Sequence, residues 1–97
     1  MPTYVVLINW TQQGVQNFKD TVDRYESAKG AFEATGVSFK EIDWTLGDHD
    51  IVSVLEAPDD ESVAAASLAL AAQGNLRSTT MRAFSAEEMR SVIAKAG

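Results

Sequence analysis

Two short runs constrain this chain more than anything else in it: Tyr4-Val5-Val6-Leu7-Ile8 and Ile51-Val52-Ser53-Val54-Leu55. Side chains along a strand alternate between its two faces, so a strand apolar at successive positions needs cover on both sides. Such strands belong in the middle of a sheet. Two other β-favouring segments read differently. Residues 37–45 carry Lys40, Glu41 and Asp43, and residues 76–83 carry Arg77, Ser78, Thr79, Thr80 and Arg82. Polar and charged strands suit the edges.

Helical signals separate these strands. Thr11 is a helix cap, and Val15, Phe18, Val22, Tyr25, Ala28 and Phe32 follow at helical spacing, which predicts one long helix stopped by Gly36. Gly47-Asp48 suits a tight hairpin between the second and third strands. Pro58-Asp59-Asp60-Glu61 opens an alanine-rich helix that ends at Gly74. Ser85-Ala86-Glu87-Glu88 is a capping box for a last helix, with Phe84 and Met89 placed as a hydrophobic staple. The order is β-α-β-β-α-β plus a C-terminal helix. With right-handed crossovers this predicts an α+β, ferredoxin-like sandwich on a four-stranded antiparallel sheet, one domain over residues 1–97.

Two helices cover one face of such a sheet and leave the other bare. A bare face made of alternate residues of the two central strands is a large apolar patch, uncommon on monomers. The last helix, with Met89, Val92 and Ile93, is one cover, and a second copy of the chain is another. A homodimer or higher homo-oligomer is therefore the expected partner, most simply with two sheets facing each other as in a barrel.

Composition excludes several classes. The formal net charge of -6 argues against nucleic acid and anionic membranes as partners. The absence of cysteine removes disulfides and thiolate metal sites. No apolar run approaches the roughly 18 residues of a membrane span, and a cytoplasmic protein is the default expectation. Walker, dinucleotide-binding and nucleophile-elbow motifs are missing. No cofactor or metal site is expected.

Four segments in order are similar to the GYD-domain family: Tyr4–Gly14, Trp44-Thr45-Leu46-Gly47-Asp48-His49-Asp50, Glu56-Ala57-Pro58-Asp59-Asp60, and Gly74–Phe84. The resemblance covers nearly the whole chain. It implies a single GYD-like domain with a fold of the dimeric α+β barrel type. It implies no particular activity, because the family has no assigned biochemical function. His49 stands where the family usually has tyrosine, so no role of that hydroxyl carries over.

The candidate site residues are few. His49, the only histidine, is the candidate general base, since imidazole titrates near neutral pH. In an extended segment its neighbours Asp48 and Asp50 point to the face opposite its own, so its orienting partner has to come from elsewhere. Tyr4, Trp10 and Trp44, with Asp50, are the candidate lining of a site for a small apolar or aromatic molecule. Arg77 and Arg82 have opposite parity and are read as separate ion pairs rather than one anion clamp. Two functions of different class remain: a small-molecule-binding or interaction module, and a cofactor-independent enzyme of monooxygenase or isomerase type built on His49.

Overall fold

In the computed structural model, which describes residues 1–97, four strands form one antiparallel sheet. They are β1 (Thr3–Trp10), β2 (Ser38–Trp44), β3 (Ile51–Glu56) and β4 (Leu76–Ala83), in the spatial order β2-β3-β1-β4. The two runs with apolar residues on both faces are the central strands. The helices are α1 (Gln12–Gln16), α2 (Thr21–Glu33), α3 (Asp60–Ala72) and α4 (Ala86–Ala96), with a 3-10 turn at Phe18–Asp20.

The core lies on one side of the sheet. Tyr4, Val6 and Ile8 of β1 and Ile51 and Leu55 of β3 are buried there with Val63 and Ala66 of α3. Phe32 of α2 and Phe39, Ile42 and Leu76 of the edge strands pack against them. Phe32 and Phe39 stack at 5.6 Å, and Tyr25 meets Phe39 and Trp44 edge to face. Ser53 is the exception in this core. It is 1% exposed, opposite Val6, and its hydroxyl has no hydrogen-bond partner.

Local chemistry explains most boundaries. Asp59 caps α3 by accepting from the Ser62 N–H at 2.9 Å. The Ser85 and Glu88 pair forms the full capping box of α4. The hairpin is looser than a two-residue turn. The Thr45 N–H donates to the Asp50 carbonyl at 2.8 Å, which leaves Leu46–His49 as a four-residue loop with Gly47 at φ 109°.

Three expectations are corrected. First, the sheet is open and not of the dimeric α+β barrel type. β2 and β4 are both free edges, and four strands are about half the number that closes a small barrel. Second, the single long helix is broken at Asn17, whose backbone (φ -107°, ψ 35°) is not helical. The reason is a tether on α1: the Thr11 hydroxyl donates to the Gly74 carbonyl at 2.5 Å and the Gln13 amide to Asn75 at 2.9 Å. A Cβ on Gly14 would lie 2.0 Å from the Asn75 carbonyl oxygen, so only glycine permits this approach. Third, α4 gives the sheet no cover. None of its residues is buried, and the molecule is 50 Å in its longest dimension.

Candidate functional site

The core occupies one face of the sheet and leaves the second face outside it. Registers place Val5 between Val54 and Met81, and Leu7 between Val52 and Thr79. These side chains point away from the helices, because their neighbours Tyr4, Val6 and Ile8 point into the core. They form an apolar strip across three strands. Glu41 and Asp43 flank it on β2, opposite Val54 and Val52, and Arg77 flanks it on β4 beside Asn9.

α4 carries a second unburied apolar surface. Met89, Val92 and Ile93 share one side of the helix, and with the preceding Phe84 they are 37–59% exposed. The helix start is held to the sheet by Arg82. Its guanidinium lies 4.6 Å from the Phe84 ring centre and 3.4 Å from the Glu88 carboxylate. The Ser85 N–H beside Glu88, then Arg82, holds that carboxyl below its ordinary range.

The total accessible surface is 6341 Å². A compact monomer of this 10.5 kDa mass exposes about 5,400 Å². The surplus of about 900 Å² reflects the elongated shape, 50 × 31 × 19 Å, and the exposed α4.

Of the residues singled out in the sequence, Trp10, Trp44, His49 and Asp50 gather at the hairpin end of the sheet, and Tyr4 lies at the other end. Tyr4 is a core residue whose phenol donates to the Asp60 carboxylate, and that bond, then burial, raises its pKa. Trp10 is at the other end of β1, about 20 Å away. Its indole N–H is buried without a partner. Trp44 is on β2 and donates to the Thr21 hydroxyl at 3.0 Å. The Asp50 carboxylate accepts from the Trp10 backbone N–H at 2.9 Å. His49, half-buried in the hairpin loop, meets Asn9 rather than either flanking aspartate. The Asn9 amide nitrogen, assigned from the network, donates to His49 Nδ1 at 3.2 Å and to the Asp48 carbonyl at 3.2 Å.

An apolar cleft opens near the aromatic cluster between α2 and the sheet. Ile8, Tyr25, Phe39, Ile42 and Leu70 line it, and its cavity of about 40 Å³ is far below the several hundred of a typical ligand site. No three His, Cys, Asp or Glu side chains gather where they would hold a metal ion. No helix is long and apolar enough to cross a membrane.

The model of the GYD domain matches residues 4–93. The chain belongs to the GYD-domain family. This GYD domain is also similar to a Thermus thermophilus protein described as glutamine synthetase and cystathionine beta-lyase binding protein. The two are 33% identical over 85 residues, 87% of this chain and 90% of that protein. Sequence reasoning found the strip on the central strands but missed the Arg82–Glu88 clasp at the foot of α4. Arg82 and Glu88 are six residues apart across a strand end and a helix cap, and no single periodicity connects them.

Proposed function

We propose that this GYD domain is a protein-interaction module that works through its uncovered sheet face and α4. The observation that carries this reading is the strip Val5, Leu7, Val52, Val54 and Met81, which is apolar, only half-buried at its centre and outside the core. Apolar centres with charged rims are the usual anatomy of protein interfaces, and here Glu41, Asp43 and Arg77 supply the rim. The partner class is an enzyme of amino-acid metabolism, by similarity to the relative described as binding glutamine synthetase and cystathionine beta-lyase. The competing small-molecule and His49-base readings draw on Tyr4, Trp10, Trp44, Asp50 and His49. Most of these side chains already have hydrogen-bond partners inside the fold, and Tyr4 lies at the opposite end of β1 from the other four.

The test is biolayer interferometry of the chain against purified glutamine synthetase and cystathionine β-lyase from the same source, with Leu7→Glu as the surface variant. The reading expects binding to at least one enzyme and its loss in Leu7→Glu, with an unchanged circular dichroism spectrum. Binding to neither enzyme would remove this partner class. Equal binding by Leu7→Glu would remove the sheet face as the surface.

A further inference from the structure

The apolar cleft beneath α2 does not end at its inner chamber. α2 packs on β2 and α3 on β4, and a hollow stays open between the two helices. The inner chamber, about 40 Å³, has half-buried Tyr25, Phe39, Ile42 and Leu70 in its walls. The outer hollow, about 380 Å³, shares Arg24, Ala28, Leu70 and Gln73 with it and adds the exposed Asp23 and Ser27. Together they reach the lower end of the size range of small-ligand sites.

Hydrogen bonds set the width of this cleft. Arg24 of α2 donates to the Asn17 carbonyl at 2.7 Å and to the Gly14 carbonyl at 3.4 Å. Gln13 of α1 donates to the Gln73 carbonyl at 3.1 Å and to the Asn75 side chain at 2.9 Å. α1 thus links α2 to the end of α3, which gives the helix break at Asn17 and the close approach at Gly14 a use. Arg24 and Asp23 belong to neither of the molecule's ion pairs, Lys40–Glu56 and Arg82–Glu88. A guanidinium has five N–H groups, so Arg24 keeps donors beyond the two it spends on α1. The mouth therefore offers an unpaired cation beside an unpaired anion, above an apolar floor.

We infer that this cleft binds a free α-amino acid with a small branched aliphatic side chain. Arg24 takes the α-carboxylate, Asp23 takes the α-ammonium, and the side chain enters the inner chamber. Size decides which side chain: about 40 Å³ holds about three water-sized groups, which suits valine, leucine or isoleucine and is too little for an indole. The site lies on the helical side of the sheet and does not depend on what the opposite face binds.

Methyl NMR titration of the full chain with L-valine, L-leucine and L-isoleucine tests this, on the wild type and on Ala28→Met. Ala28 borders both spaces, and methionine is a good helix former that would fill them. Saturable shifts are expected at the Ile42, Ile51 and Leu70 methyl groups below about 10 mM ligand, a limit above the usual range of substrate affinities. Ala28→Met should lose them. On the wild type, isocaproate lacks the ammonium of leucine and isoamylamine lacks its carboxylate. Each should bind about tenfold more weakly or worse, the effect of losing a charge-assisted hydrogen bond. Glycine, without a side chain, should not bind. No saturable shift with any of the three amino acids overturns the inference, and so do shifts centred on Val5, Leu7 and Val52. Binding of glycine, or of either analogue as tightly as leucine, also overturns it, and this arm needs no variant to fold. Undiminished binding by a folded Ala28→Met chain does the same.

Discussion

The two faces of the sheet are made of nearly the same residues and have opposite fates. Tyr4, Val6, Ile8, Ile51 and Leu55 face the helices and are 3–5% exposed. Val5, Leu7, Val52 and Val54 alternate with them on the same strands and stay partly open. Hydrophobicity therefore does not decide which face becomes the core. The positions of α2 and α3 decide it, and the face they leave is the one available to another molecule. Burial scales with area removed from water, so the isolated chain gains little from its second face until something covers it.

The strongest way to break this comparison is to truncate one residue on each face. Leu55→Ala is expected to cost about 2–5 kcal/mol in urea unfolding, the range for fully buried leucines. Leu7→Ala should cost well under half of that in the isolated chain, because less packing is lost. Equal losses would mean that the uncovered face is already buried in solution. Gly14→Ala comes next. Its methyl group would collide with the Asn75 carbonyl, and the backbone shift should cost about 1–3 kcal/mol and loosen α1 from the turn before β4. Ser53→Ala is expected to stabilise the protein by about 1 kcal/mol, because it removes a buried hydroxyl without a partner. A loss of stability on the same assay would show that the hydroxyl has a partner.

Acid sharpens the comparison at α4. Glu88 has a lowered pKa in the folded chain, so its contribution is present above 4.5, the ordinary glutamate value. It is lost as pH falls through the lowered value. Amide exchange in residues 86–96 should quicken in that window before the sheet opens, and Glu88→Gln should flatten the pH dependence. The smallest expected effect is His49→Ala, within about 0.5 kcal/mol of wild type in thermal unfolding, as for most half-exposed loop positions.

Much of the frame was legible because its signals are local. The apolar character of both faces of Tyr4–Ile8 and Ile51–Leu55 identified the central strands, and Ser85 with Glu88 identified the last helix start. The break at Asn17 was not legible. Val15, Phe18 and Val22 keep helical spacing across it, yet all three are 45–54% exposed, so their periodicity does not report a buried face. What breaks the helix is a tether to Gly74 and Asn75, some sixty residues away. The barrel expectation failed for a related reason. Strand composition says which strands are central and says nothing about whether the edges meet. The uncovered face could be anticipated from parity, but the failure of α4 to cover it could not. A stripe of Met89, Val92 and Ile93 reads the same whether it packs on its own sheet or on another protein.

The most direct test of the central claim is methyl-labelled NMR of the chain as unlabelled glutamine synthetase or cystathionine β-lyase is added. The account predicts selective broadening at Val5, Leu7, Val52, Val54 and Met81, with Met89, Val92 and Ile93 of α4. The Val6, Ile8, Ile51 and Leu55 methyl groups on the helical side should keep their positions and widths. Broadening confined to the helical side, or around Tyr25, Phe39 and Trp44 with the sheet strip unchanged, would contradict it.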